Sequence, residues 1–333
     1  MLSRLRVDPF LLLLLAVLAL AALLPARGTI AAGLDPVTGG AIALLFFLHG
    51  AKLSRGAILA GIGAWRLHLM VLLTTYGVFP LLGVAIVAAL GGVIDRLVAM
   101  GIIYLCILPS TVQSSIAFTA IARGNVPAAV CSASLSNILG IALTPLLAAV
   151  MIGGHSSGSG LFVSAFTAIA TQLLLPFVLG HLARPWVGGW IDRHKKLVMR
   201  VDRGVILLIV YTAFGAAVVE GLWTRLSFVD AAVIGAICSL LLAAILGFTR
   251  LLAVLTRQPR PDEIVLMFCG SKKSLASGVP MAGALFPAAE VGLIILPLML
   301  FHQLQLIVCT AIAGRYARID EQSKGSSHVL RNA

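Results

Sequence analysis

Charge is what this sequence most lacks. Only 11% of its 333 residues are Asp, Glu, Lys or Arg, and 60% are hydrophobic, where an ordinary soluble domain carries about 25% charged residues. A water-soluble fold is thereby excluded, and the chain reads as an integral membrane protein. Acid is scarcer still. None of the 12 Asp and Glu residues falls at the middle of an apolar run, and Glu220, Asp230, Asp262, Glu263 and Glu290 all stand near run ends. There is no Walker A loop, so ATP does not drive the protein directly. The five cysteines, Cys106, Cys131, Cys238, Cys269 and Cys309, lie in apolar runs without CxxC spacing, which gives neither a disulfide framework nor a zinc site. They read as packing residues, and no cofactor is indicated. One GxSxG match, GHSSG at 154–158, joins two apolar runs where an esterase needs a strand and a helix. Nothing else suggests an enzyme.

What the chain does have is long apolar runs. A bilayer-crossing helix needs about 20 residues, and such runs recur at about 8–25, 35–50, 65–90, 94–121, 127–151, 161–183, 203–221, 228–249, 262–286 and 290–314. Several contain Gly and Pro and none shows period-2 alternation, so an all-α polytopic bundle of about 10 spans is expected, not a barrel. A short interfacial helix is expected at 54–63, and the first run reads as an uncleaved helix, since losing it as a signal peptide would leave an odd count. Basic residues sort by side. With alternate loops on opposite sides, 19 of the 24 Lys and Arg fall on one side, only Arg27, Arg96 and Arg225 on the other, and Lys272 and Lys273 lie inside a run. Both termini are then cytoplasmic. The net charge of +12 marks orientation and contact with anionic membrane lipid and calls for no nucleic-acid partner. A bacterial inner membrane is the expected location, for a monomer or homodimer.

Sliding the chain on itself by 161 residues lays YLCILPSTVQSS (104–115) over VLMFCGSKKSLA (265–276). Each is an apolar half-helix running into a short polar break before helix resumes. The two lie in the fourth and ninth spans, an odd number apart, so the copies are upside down relative to each other: a 5+5 inverted repeat. Its parts are 1–152, a Gly- and Ser-rich connector at 153–160, 161–316, and a tail at 317–333. Inverted repeats with interrupted helices point to a secondary transporter with its site near the midplane.

A break inside the membrane exposes backbone N–H groups at one new helix end and carbonyls at the other, each carrying about half an elementary charge. The first break offers Ser110, Thr111, Gln113, Ser114 and Ser115, the second Ser271 and Ser274. These either bind ligand or merely satisfy the backbone and one another. Lys272 and Lys273 are harder to dismiss, because a lysine at a helix centre costs on the order of 2.5–3.5 kcal/mol to insert and usually faces a cavity or partner. Snorkelling is the alternative. On a regular helix neighbours point about 100° apart, and the self-alignment, which sets Lys272 on Thr111, favours Lys272 as the one facing the other break. His302, Gln303 and Gln305 put polar groups inside the tenth span, as a helix-to-helix hydrogen bond or a proton relay with the lysine.

The segments LPSTVQSSIAFTAIARGNVPAAVCSASLSNILGIALTPLL (108–147) and CGSKKSLASGVPMA (269–282), with GVFPLLG (77–83) and QLLLPFVLG (172–180), resemble the bile acid:sodium symporter family, most closely its bile-acid-symporter-like branch. The resemblance implies a core domain of spans 3–5 and 8–10, in which spans 4 and 9 cross as broken helices, and a panel domain of spans 1, 2, 6 and 7. An organic anion would bind between them, with alternating access by movement of one against the other. It also implies sodium ligands at Ser114 and Ser115, near Ser134 and Asn137, and near Thr75. The chain departs from that pattern in the ninth span. Where sodium-coupled members have a coordinating glutamate, the position falls near Met267, followed by Ser271 and Lys272. Sodium wants oxygen ligands, and a neighbouring ammonium opposes it, so no metal site is assigned and sodium coupling is disfavoured. The expectation is that the Lys272 ammonium takes the coupling cation's place against the carbonyls of the breaks, either exchanging protons or standing as a fixed counter-ion. Sodium and proton both remain open as coupling ion. The function read from this is secondary active transport of a small organic anion. The alternative is a non-transporting membrane regulator or sensor with the same fold.

Overall fold

A segment with no water around it must satisfy its backbone from within, which a helix does. In the computed structural model every described element of secondary structure is accordingly helical. The structure describes residues 9–52, 64–90, 92, 94–152, 173–219, 221 and 227–331. The connector at 153–160, the first half of the expected sixth span and the expected interfacial helix at 54–63 lie outside the described residues.

The helices are α1 (Pro9–Leu23), α2 (Thr29–Lys52), α3 (Trp65–Ala89), α4 (Arg96–Ile107), α5 (Val112–Ile121), α6 (Val126–Met151), α7 (Leu175–Arg193), α8 (Lys195–Val219), α9 (Phe228–Leu255), α10 (Arg260–Gly270), α11 (Leu275–Leu285) and α12 (Ala288–Arg331). Six of them, α2, α3, α6, α8, α9 and α12, are long and apolar enough to cross a membrane, and α4 with α5, bent by 58°, makes a seventh. Leu81, Leu182, Leu240 and Ile307 are exposed on the outside, where lipid accepts them and water would not. The chain is a multi-pass helical membrane protein. The expectation of about 10 spans goes further than these helices do by length and composition. α10 and α11 have 11 residues each, and α10 opens with acidic Asp262 and Glu263.

The two interruptions arise differently. α4 stops before Pro109, which has no N–H and disfavours helix in the residue ahead of it; Leu108 is extended, with φ −72° and ψ 155°. Between α10 and α11 no proline intervenes. There the backbone is held out of helix from outside, because Lys273 N donates to Gln305 Oε1 and Lys273 O accepts from Gln305 Nε2, both at 2.9 Å. α3 carries a π-helical turn over Thr74–Val78, a local widening that frees a carbonyl for an outside donor.

α2 and α7 lie side by side, α8 lies against α1, α2, α11 and α12, and α12 also touches α4 and α9. α10 fits among α3, α5, α6 and α9. The α2–α7 contact depends on two glycines. A Cβ on Gly50 would overlap the Phe177 carbonyl, and one on Gly180 would overlap the Phe47 carbonyl, so the helices meet backbone to backbone, as small residues allow in membranes. Gly50→Val and Gly180→Val should each cost about 1–3 kcal/mol through overpacking, read as a lower melting temperature of the detergent-solubilised protein. Gly189→Ala in α7, where a Cβ meets nothing within 4 Å, should melt like the unmodified chain. Equal melting of all three would refute the close approach.

Candidate functional site

The last carbonyls of a helix have no intrahelical donor, and at both interruptions the donors come from elsewhere. At the end of α10, the Phe268 carbonyl accepts from Ser115 Oγ at 2.8 Å and the Cys269 carbonyl from Ser110 Oγ at 2.6 Å. At the end of α4, Ile107 O accepts from Thr144 Oγ1 at 2.8 Å, while Cys106 O and Leu108 O each accept from Lys273 Nζ at 2.7 Å. The interruptions also touch directly, with Ser274 N donating to Pro109 O at 2.9 Å and Thr111 Oγ1 to Lys273 O at 2.9 Å. Asn137 of α6 ties the junction together. Its Nδ2 donates to Ser110 O at 2.6 Å and its Oδ1 accepts from Ser277 Oγ at 2.7 Å.

Both lysines are fully buried, so neither snorkels. Their side chains diverge, because residues 271–274 are not helical and the angular argument made for a regular helix does not hold there. This corrects the expected assignment: the carbonyls go to Lys273 and not to Lys272. Lys273 Nζ donates to Thr75 O at 2.9 Å as well as to Cys106 and Leu108, a full set of three acceptors, and lies 4.0 Å from the centroid of Phe79. Lys272 Nζ has no hydrogen-bond partner. It rests on the Phe118 ring, 3.6 Å from its centroid, with Phe268 at 5.4 Å.

A cavity of about 600 Å³ opens beside this junction. One wall comes from α1, α2, α7 and α8, through residues such as Phe10, Phe46, Phe177 and Ile206; the other comes from α5, α6, α11 and α12, through Gln113, Ser134, Asn137, Ser277 and His302. Thr111 and Ser274, the residues that precede α5 and α11, both line it, so two helix N-termini with their partial positive charge border one space. Further out it is lined by His49, Lys52, Asp202 and Arg203. Asp202 is its only carboxylate among the described residues, and it is ion-paired with Lys52. Arg203 lies over the Phe10 ring at 5.2 Å.

The expected site residues therefore divide. Ser110, Thr111, Ser115, Ser271 and Lys273 are spent on backbone carbonyls, and Ser274 accepts from Ser277 N at the start of α11. Thr75 contributes its carbonyl to Lys273, while its hydroxyl returns to Val71 O at 2.8 Å. Gln113, Ser114, Ser134 and Asn137 face the cavity. Ser115 and Asn137, two of the sodium-ligand positions that the resemblance implies, are already committed to protein partners. Among the described residues no three His, Cys, Asp or Glu side chains gather for a metal. Sequence reasoning missed Tyr104, whose hydroxyl donates to Gly278 O, along with Ser136, Thr144 and Ser277. Tyr104 and Thr144 are single polar residues in apolar runs, whereas Ser136 and Ser277 lie in the same polar segments as Asn137 and Ser274. It also counted Lys52 and Arg203 only as orientation charges, although their positions across an expected loop gave no sign that they share a cavity.

Residues 8–318 match the sequence model of the SBF-like CPA transporter family. The chain is 50% identical over 315 residues to the Escherichia coli protein named "Putative symporter YfeH", covering 95% of this chain and 94% of that one. It is 51% identical over 311 residues to PA2026 of Pseudomonas aeruginosa, covering 93% of each. With the sodium/bile acid cotransporter 7 of Xenopus tropicalis it shares 28% identity over 314 residues, covering 92% of this chain and 91% of that protein.

The unequal bonding of the two amines predicts unequal effects on stability. Lys273→Met should cost roughly 2–6 kcal/mol, from about 1–3 kcal/mol for each of the two helix-end carbonyls left without a donor. Lys272→Met should melt at or above the unmodified temperature, since an unpaired buried cation costs more than a ring contact returns. Thermal unfolding of the two purified variants decides it, and the reverse order would refute the assignment of partners.

Proposed function

The chain belongs to the SBF-like CPA transporter family, and on that premise we propose that it is a secondary active transporter of a small organic anion, working by alternating access. One observation carries the reading: the cavity lies between two groups of helices, is bordered by two helix N-termini, and has its only described carboxylate neutralised by Lys52. Such a space favours an anion electrostatically. Its apolar lining by Leu45, Phe46, Ile138, Phe177 and Met281 suits an anion with an apolar body, the kind of molecule that the Xenopus relative's name specifies. Arg203, held among the described residues by an aromatic ring alone, is available to receive the anionic group.

In this reading the interruptions at 108–111 and 271–274 are the midpoints of two inverted five-helix copies making ten spans. Spans 3–5 and 8–10 form the core, and spans 1, 2, 6 and 7 the panel. Their crossing contacts support it, since each break supplies the other's missing donors. The cavity reaches Lys52, Met199 and Arg203, on the side to which the basic residues assign the cytoplasm, and so faces inward. Bacterial relatives suit an inner-membrane location.

The donor set supports a proton over sodium as the coupling ion. Three backbone oxygens that could surround a cation are taken by the Lys273 ammonium, and a sodium ion beside it would meet repulsion with no acid among the described residues to offset it. The residues do not fit sodium, and a proton is left as the coupling ion. A regulator or sensor would show no carrier exchange, which makes counterflow the deciding measurement. In proteoliposomes a panel of labelled aromatic and steroidal carboxylates should yield at least one whose uptake is accelerated by the same anion inside. Uptake should follow an imposed pH gradient and be indifferent to replacing sodium by potassium. Arg203→Gln should raise its KM about ten- to a hundredfold, the equivalent of about 1.5–3 kcal/mol for a lost charged hydrogen bond. Absence of counterflow across the panel sinks the carrier, and uptake that requires sodium sinks the proton.

A further inference from the structure

Two adjacent buried ammonium groups in one break pose a question that transport as such does not answer, namely why one would not serve. Their surroundings differ in kind. Lys273 Nζ donates all three of its N–H bonds to carbonyls of α3 and of the end of α4. Taking a proton from it would leave one of these three carbonyls without its donor and aim a nitrogen lone pair at an oxygen lone pair. Its backbone is clamped from both sides by Gln305. Lys272 Nζ makes no hydrogen bond at all, and losing a proton there breaks none.

We propose that Lys272 is the proton-binding site of the transport cycle, that Phe118 is the shutter between it and the cavity, and that Lys273 is a permanent structural cation. This rests on reading the protein as a proton-coupled carrier. The geometry brings the parts together. Phe118 is at once the ring on which Lys272 Nζ rests, 3.6 Å from the centroid, and a wall residue of the cavity. One side chain therefore touches both the amine and the space where anion and water enter. Ser114, one turn earlier and hence on the same face of α5, also lines the cavity, and its buried Oγ has no partner. It gives water a place to hydrogen-bond next to the shutter. The titratable groups facing Lys272 are the thiols of Cys269 on α10 and Cys309 on α12, while α5 brings only the Phe118 ring. Among the described residues no carboxylate competes for the proton. When Phe118 turns aside, one Nζ–H bond breaks, the proton passes to a cavity water, and the electron pair stays on nitrogen as a neutral amine. Proton uptake is the reverse.

The test uses the full chain in liposomes that enclose a pH-sensitive dye, with an imposed pH gradient and no organic anion present. Phe118→Ala should dissipate the gradient several-fold faster than the unmodified protein, and Phe118→Ala combined with Lys272→Met should return to the unmodified rate. A leak that persists in the double variant, or no leak in the single one, overturns the proposal. A second measurement needs no variant: reductive methylation of the purified protein with formaldehyde and a borane, read by peptide mass spectrometry. Methylation at Lys272 with Lys273 protected supports the division of roles, and equal or faster methylation at Lys273 overturns it. Failure of counterflow by the unmodified protein would instead fall on the carrier reading, because neither of these measurements uses a substrate.

Discussion

Everything at the centre of this molecule follows from one constraint: a helix that ends inside the membrane leaves carbonyls that no water will reach. Here two such ends supply each other's partners. Hydroxyls following the end of α4 serve the carbonyls of α10, and an ammonium following the end of α10 serves the carbonyls of α4. Neither interruption is satisfied without the other, so the two are bonded into one unit. The exchange is lopsided in sign. The negative, carbonyl ends are consumed within the protein, whereas Thr111 and Ser274, at the positive ends of α5 and α11, border the cavity. On the proposed reading, a space bordered by two positive helix ends, with its one described carboxylate paired to Lys52, suits an anion before any ligand enters.

How much of this was legible in the sequence depended on whether a feature leaves a local trace. Membrane class and helical architecture did, because apolar runs of this length have no soluble alternative. The positions of the interruptions did as well, through Pro109 and through the polar residues set in otherwise apolar stretches. Which lysine reaches the carbonyls did not. That choice turns on the backbone of 271–274, held out of helix by Gln305, 32 residues beyond Lys273, and a pattern argument built on helical geometry had to misassign it. The sequence also could not say how the hydroxyls are used. Ser110 and Ser114 look alike in a string, yet one is bonded to Cys269 O and the other is buried without a partner beside the cavity.

Lys52 and Arg203 teach the same lesson from the other direction. As charges near span ends they read as orientation signals, and that reading is sound as far as it goes. Folding adds a second role, because α2 and α8 converge and set Lys52 against Asp202. The one described acid in the cavity is then occupied, and Arg203 is left without a carboxylate among the described residues. The sign of the cavity is thus a product of pairing, and no count of Lys, Arg, Asp and Glu could have supplied it.

A built-in cation and a bound one solve the same electrostatic problem with different consequences. A bound ion can occupy orphan carbonyls in one conformation and leave them in another, so its gradient can do work. An ammonium tethered to the backbone cannot leave, and the carbonyls it holds are satisfied in any conformation that keeps α3, α4 and the second break together. Lys273 therefore ties the junction together and, on the proposed reading, transfers nothing across the membrane. On the proposed reading, the exchangeable charge has to sit on a group that is not needed to hold the fold, yet lies close enough to the cavity to register what occupies it. Among the described residues at the junction, Lys272 meets both conditions: its nitrogen supports no other group, and the ring on which it rests lines the cavity.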